Sequence, residues 1–340
     1  MGETRCYLIR REKALESFPN VEAALAWTGD DGYLWFDIVQ PEAADFEPLA
    51  EPLGLHPLAV EDCLDDEQVP KIEEFPGHSF ALFNRWHMGD DGPRIEEINF
   101  FLSDRYLISV HGAGMAPDGL GAAFEATARR DLGEACLGPD HLLHVLTDRI
   151  VDEKLDVIEI LQEQLDDLEE AILRDGAEFQ PANLIGLRRN LLRLRKSLVY
   201  EREILTKLCR RDSPYISAEA VYAFRDIADH LTKFFEVIEI CRELVASTIE
   251  IHLATVSNRM AMTDVRTNLV MRRLTMITVV FMPLTLISGI FGMSEWTGLT
   301  QSLKPAGSYA LFTLLMIGVS YVSYRVLTWY DRRDQVVPAE

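Results

Sequence analysis

The sequence predicts an α/β domain, then long stalk helices, then two C-terminal transmembrane helices. Three observations predict this. The first part of the chain holds short apolar runs rich in aromatic and β-branched residues, punctuated by Gly and Pro. The middle carries apolar residues at a sustained helical period. The end holds two long runs without a formal charge.

In the first part, YLWFDIV at 33–39, FALFNRWHM at 80–88, INFFLS at 98–103 and RYLISVH at 105–111 read as strands. AADFEPLAEPLGL and HPLAVEDCL read as short helices between them. Gly29, Gly32, Pro76, Gly77, Gly89, Gly92 and Pro93 punctuate the joins. Alternation of this kind implies strands and helices layered around one core. The domain is expected to occupy 1–140 and the helical stalk 141–270.

From His141 a helical period begins, with Leu142, Val145, Ile150, Val157, Ile160, Leu161, Leu165, Leu168 and Ile172 on the apolar side. Its polar side is acidic, from Asp152, Glu153 and Asp156 through to Glu169 and Glu170. After DGAEFQPAN comes a basic helix carrying Arg188, Arg189, Arg193, Arg195, Lys196, Arg202 and Lys207. An acidic and a basic helix joined by a turn are expected to pair antiparallel, steered by charge. A third helical pattern starts near Ala218 and meets no Pro or Gly before Pro283. At 1.5 Å per residue it would run on the order of 100 Å. A helix that long needs partners, and copies from other subunits are the obvious ones.

Between Arg273 and Glu295 lie 21 residues without a formal charge, and between Lys304 and Arg325 another 20. Each run spans roughly 30 Å, the thickness of a bilayer's hydrocarbon core. The spans are expected at 271–293 and 307–330, with a loop at 294–306 and a tail at 331–340. Arg272 and Arg273 flank the first span, and Arg325, Arg332 and Arg333 the second, so both termini are expected on the cytoplasmic side. Trp296, Trp329 and Tyr330 suit interfacial belts. Two helices cannot enclose a pore, so conduction would require several copies around one axis.

The net charge of −22 argues against a nucleic-acid partner, whose phosphates it would repel. It suits divalent cations, for which carboxylates are hard oxygen ligands. Cys6, Cys63, Cys136, Cys209 and Cys241 form no C-x-x-C pair and read as reduced thiols. The N-terminus lacks the apolar core of a signal peptide, so the first part is expected in the cytoplasm. No nucleophile constellation or phosphate-binding glycine loop stands out, so no enzyme is expected and transport would run down a gradient. His141 and His144 stand at i, i+3 without an evident third ligand and read as interface or surface histidines.

MRRLTMITVVFMPLTLISGIFGMS at the first span resembles the pore helix of the CorA family of magnesium channels, which includes the ZntB zinc transporters. LHPLAVEDCLDDEQVPKIEEF, the acidic helix, LRRNLLRLRKSL, YAFRDIADH and HLATVSNR resemble further family segments in order, so the likeness covers almost the whole chain. It implies a funnel-shaped homopentamer in the bacterial inner membrane, with the first span lining the pore and the second forming an outer ring. It implies transported Mg²⁺, and regulatory Mg²⁺ whose binding between cytosolic domains closes the channel. Asn268, Met271, Leu274, Met282, Thr285 and Gly289 match pore-facing positions, and Glu250 matches an acidic position lower in the pore. Asp62 and Asp226 match two carboxylates that meet across the subunit interface, and Glu61 and Asp148 a second pair.

The family's Gly-Met-Asn at the pore mouth reads Gly292-Met293-Ser294 here, with Glu295 next. A serine hydroxyl is a shorter acceptor than an amide carbonyl, and a ring of Glu295 carboxylates would attract by net charge instead. Zn²⁺, Co²⁺ or Ni²⁺ therefore stands beside Mg²⁺ as cargo, through a ZntB-like carrier with or without proton coupling. A nonconducting membrane-anchored metal sensor is the third reading.

Overall fold

The computed structural model describes residues 2–65, 68–90, 92–112, 114, 119–173, 180–210, 213–291 and 305–334. It divides into two compact units, Met1–Glu250 and Ile251–Glu340.

The first unit is built on a seven-stranded sheet in the order β2-β1-β3-β7-β6-β5-β4. The strands are β1 (Glu3–Arg10), β2 (Ala14–Phe18), β3 (Gly32–Val39), β4 (Lys71–Phe75), β5 (His78–Gly89), β6 (Gly92–Leu102) and β7 (Tyr106–His111). Every pairing is antiparallel except β3 with β7. The four expected strands are present. β1, β2 and β4 are additions to the expectation.

Both faces of the sheet are covered, which is why its central strands read as continuous apolar runs rather than alternating ones. One face buries Phe36, Phe80, Phe101 and Ile108 with Phe46 and Leu49. The helices in that layer are α1 (Val21–Leu25), α2 (Ala43–Leu53) and α3 (Pro57–Leu64). A capping box between Glu42 and Asp45 starts α2, and Gly54 ends it in the left-handed region at φ 65°. Pro57 opens α3, where its missing N–H costs nothing. The other face buries Trp35, Phe83, Trp86 and Phe100 against Phe124, Leu142 and Leu146. Those come from α4 (Gly119–Arg130) and α6 (Pro139–Leu173), which α5 (Leu132–Ala135) joins.

α6, α7 (Pro181–Cys209) and the start of α8 (Ala220–Phe291) form the stalk. α6 meets α8 at His144 with Phe224 and at Glu169 with Thr248, positions that rise together, so these two run parallel. α7 meets α8 at Arg195 with Glu239 and at Arg202 over Phe235, so α7 runs opposite to α8 and hence to α6. The antiparallel pairing of α6 and α7 is as expected. The charge-steering account of it is corrected. Leu161 and Leu165 share one buried cluster with Leu187, Leu191, Leu194 and Leu198. The described ion pair between α6 and α7 joins Lys154 of the acidic helix to Glu201 of the basic one, the opposite polarity. Arg195 of α7 is taken up by Glu239 of α8.

In the second unit, α8 continues from Ile251 to Phe291 and α9 spans Pro305–Asp334. Both are long and apolar enough to cross a membrane. Phe291 and Phe312 meet with ring centroids 5.1 Å apart. The expected loop at 294–306 lies outside the described residues up to 304, and the tail beyond 334 does too.

Candidate functional site

The described part of the chain brings one group of metal-capable side chains together. Asp148 and Asp152 stand one turn apart on α6, and His230 faces them from α8. One ligand atom from each lies within 4.8 Å of the other two. The parallel packing of α6 on α8 makes this meeting. Asp226, one turn before His230, lies 4.0 Å from its ring and is 73% exposed. Burial, and then the Asp152 carboxylate, push the Asp148 carboxyl above the usual carboxylate range, with Asp226 adding to the push. Crowded acids of this kind gain from a bound dication, which favours their charged forms. Two carboxylates and an imidazole are a donor set that fits a divalent ion, and the nitrogen suits Zn²⁺, Co²⁺ or Ni²⁺ better than Mg²⁺.

Asp148 and Asp226, matched separately from the sequence, therefore converge on one patch of a single chain. Asp152 and His230 are the members that sequence reasoning did not select. The signal was present, since each stands four residues from a selected acid. Glu61 and Asp62 sit elsewhere, in α3. Glu61 is exposed. Asp62 accepts a hydrogen bond from Lys71 at 2.7 Å.

His141 and His144 are not surface residues. Both are largely buried, and His144 Nδ1 lies 2.8 Å from Glu134 and that of His141 3.9 Å from it. A buried polar chain that sequence reasoning also missed runs through the parallel strand pair. Trp35 donates to Ser109, which donates to Asp37, and His111 faces Asp37 Oδ1 at 3.1 Å. The other His111 nitrogen faces the Gly112 carbonyl at 2.6 Å, so both ring nitrogens meet acceptors. Burial alone would lower the His111 pKa, but the Asp37 contact and the carbonyl reverse this and hold it above its usual value.

In the second unit, Asn268, Met271, Leu274, Met282, Thr285 and Gly289 are all exposed in the single chain. Val280 and Leu284 of α8 line a groove with Met316, Ser320 and Tyr324 of α9. At about 100° per residue, the stripe through Met271, Thr278, Met282 and Gly289 lies on the opposite side of α8 from that groove. The Thr285 hydroxyl donates to the Phe281 carbonyl at 2.9 Å, which leaves its oxygen able to accept. A Cβ added at Gly289 would meet nothing within 4 Å. Glu250 is exposed at the last position of the first unit. Gly292, Met293, Ser294 and Glu295 lie outside the described residues.

A sheet domain whose stalk helix continues into an apolar, outward-facing stretch, beside a second apolar helix, defines a membrane protein with a metal-capable stalk. The family model "CorA-like Mg2+ transporter protein" matches residues 30–332. The cobalt/magnesium transport protein CorA of Thermotoga maritima is 30% identical over 81% of this chain and 77% of its own. The zinc transport protein ZntB of Yersinia pseudotuberculosis is 22% identical over 89% of this chain and 87% of its own. The full-length CmaX structure superposes with a TM-score of 0.69 at 21% identity, covering 97% of this chain and 96% of that one. The CorA magnesium transporter structure from Methanocaldococcus jannaschii gives 0.68 at 19%, covering 95% and 96%. The chain belongs to the CorA-like Mg²⁺ transporter family, a family of transport proteins and not of enzymes.

Proposed function

We propose that copies of this chain assemble, as a pentamer, into a Mg²⁺ channel of the inner membrane that cytosolic Mg²⁺ closes. The observation that carries the regulatory half is the Asp148–Asp152–His230 group in the stalk, with Asp226 beside it. With that patch empty, its carboxylates repel one another, and copies meeting there are loosened. A dication filling it removes the repulsion and favours the closed arrangement, a ligand-linked population shift. Asp62 and Glu61 of a neighbouring copy would complete the coordination. Asp62 would exchange its Lys71 partner for the ion.

The pore half of the proposal rests on the outward stripe of α8. Met271, Leu274 and Met282 from each copy would form an apolar throat that excludes water when narrow. Thr285 and the Gly289 backbone would present oxygens to the passing ion. Pro283 lies between Met282 and Thr285 and, lacking an N–H, frees the Val279 carbonyl one turn earlier. Glu250 and Asn268 would line the cytosolic continuation, where a ring of carboxylates concentrates cations. Gly292, Met293, Ser294 and Glu295 would form the outer mouth. Both termini would be cytoplasmic, since the basic residues flank the spans on that side.

A second reading is a carrier for Zn²⁺, Co²⁺ or Ni²⁺. The nitrogen ligand of His230, the similarity to a zinc transport protein and Ser294 in place of Asn favour it. Ion uptake into proteoliposomes separates the two. Mg²⁺ entry that luminal Mg²⁺ suppresses, without dependence on a proton gradient, supports the channel. Zn²⁺ entry that follows the gradient supports the carrier. If no ion moves under any condition, both fail, and a membrane-anchored metal sensor becomes the account.

A further inference from the structure

The sequence separates charge between α6 and α7, and the folded chain leaves that separation unused. On α6, Asp156, Glu159, Glu163, Asp166 and Glu170 recur at alternating steps of three and four residues. At about 100° per residue such a series keeps to one side of a helix, like the seam of a heptad pattern. α7 repeats the spacing in Ile185, Arg189, Leu192, Lys196 and Val199. Both seams are exposed along their whole length. Ile185, Leu192 and Val199 are 56%, 42% and 43% exposed. Among the described residues, Glu159, Asp166, Arg189 and Lys196 take part in no ion pair within the chain.

The two seams point to opposite sides. Going round α6, the residues that touch α8, His144 and Glu169, lie between the buried face and the acidic seam. Going round α7, Arg195 and Arg202, which also touch α8, lie between the buried face and the mixed seam. Because α6 and α7 run antiparallel, the same order turns one seam to each flank of the three-helix bundle. Complementary surfaces on opposite flanks make a head-to-tail contact, which closes into a ring when the rotation allows.

The heights agree as well. A rotation axis along the stalk moves each residue round without raising it. Lys154 lies against Glu201 at 3.0 Å, which fixes the antiparallel register. One residue up α6 for each residue down α7 then sets Glu159 level with Lys196, Glu163 with Leu192 and Asp166 with Arg189. Asp156 and Glu170 fall level with Val199 and Ile185. The chain carries a net charge of −22, so copies repel one another unless opposite charges are set face to face.

We propose that the acidic seam of α6 docks on the apolar and basic seam of α7 in the next copy around the ring. The proposal rests on the reading that copies assemble around one axis, and it names a stalk surface through which they meet. Glu159 pairs with Lys196 and Asp166 with Arg189. The two pairs flank Leu192, which the neighbouring helix shields from water.

The test is the mass of the full-length protein in detergent, by native mass spectrometry and light scattering along a dilution series with Mg²⁺ present. The unaltered chain runs as a pentamer. E159K/D166K and R189E/K196E, both at exposed positions, each set like charges opposite one another. Each raises the concentration of half-dissociation at least about tenfold. All four substitutions together exchange the polarity and return that concentration to within about threefold of its starting value. Independently, E159C/K196C gives disulfide-linked ladders on mild oxidation and neither single variant does, because the two positions lie on opposite flanks of one chain. The proposal is overturned if either reversal leaves the half-dissociation concentration within about twofold. It is equally overturned if the fourfold variant associates no better than the reversals, or if E159C/K196C gives no ladder. A pentamer indifferent to the reversals overturns this proposal alone, and an unaltered chain that stays monomeric overturns the pentamer with it. Where a reversal lowers the thermal midpoint, the disulfide ladder decides.

Discussion

Lys154 and Glu201 are both fully buried, 3.0 Å apart, at the junction of α6, α7 and the sheet. Lys154 also donates to the Asn84 carbonyl and lies 5.2 Å from the centre of the Trp86 ring. Glu201 accepts from Ser197 at 2.8 Å. Burial lowers the lysine pKa and raises that of the glutamate, and each partner opposes the other's shift. Lys154→Met keeps most of the volume but strands a buried carboxylate, which costs about 3–5 kcal/mol. For a unit of this size each kcal/mol moves the midpoint by about 2–4 °C, so a fall of roughly 6–20 °C is expected. Adding Glu201→Leu removes the stranded charge, and the double variant should recover at least half of the loss. The sign of the pH dependence follows from the raised Glu201 pKa. Stability is fully present below the ordinary carboxylate value and is lost as pH rises through the folded value. Without Lys154 that value climbs further, so the deficit should be smaller near about pH 5 than near about pH 8. Tryptophan-fluorescence melts of the full chain in detergent, at one scan rate, measure all three forms. A double variant as unstable as Lys154→Met would refute the argument, because the cost would then lie in packing and not in charge.

Other outcomes follow from the two candidate sites and the buried histidine. Asp148→Asn relieves the crowding with Asp152, so the divalent-free protein should gain about 1 kcal/mol and lose most of its stabilisation by added Mg²⁺ or Zn²⁺. Parallel melts with and without each metal would record both effects. Met282→Asp, on the outward stripe, should change ion flux in proteoliposomes by about tenfold or more, whereas Leu284→Val, on the α9 side, should leave it within about twofold. Equal effects would sink the assignment of faces. The His111–Asp37 contact is fully present below the ordinary histidine pKa and is lost as pH rises through the raised value. His111→Asn should therefore flatten the fall in melting midpoint between about pH 6 and pH 9.

Much of the fold was legible because the central strands are buried on both faces. A stretch such as YLWFDIV carries no competing helical signal. The strands that went unread are of another kind. β2 reads ALESF and β4 reads KIEEF, five residues each, with charged side chains mid-strand. β1, ETRCYLIR, begins and ends in charge, and only its centre is buried. The short edge strands β2 and β4 are set by their neighbours, and β1 by its long-range pairing with β3, such as Cys6 opposite Phe36. The metal patch was half legible. Asp148 and Asp226 came from resemblance, but His230 joins them only because α6 and α8 run parallel in register, which no local pattern encodes. The polar chain through Asp37, Ser109 and His111 left no signal beyond its alternation on two strands whose parallel pairing is itself nonlocal.

The charges along β2 and β4 bear on how the protein is made. Both strands are edges of the sheet. β4 carries Lys71, Glu73 and Glu74, and β2 carries Glu16, which is held by Arg10 of β1. During synthesis the seven strands and the stalk leave the ribosome before either apolar helix does, so the sheet can close before those helices reach a bilayer. An uncovered edge at that stage would invite strand exchange with any nascent neighbour, and charged side chains along the edge discourage such pairing. In the assembly proposed above, blunted edges would leave association to the helices and not to the sheet.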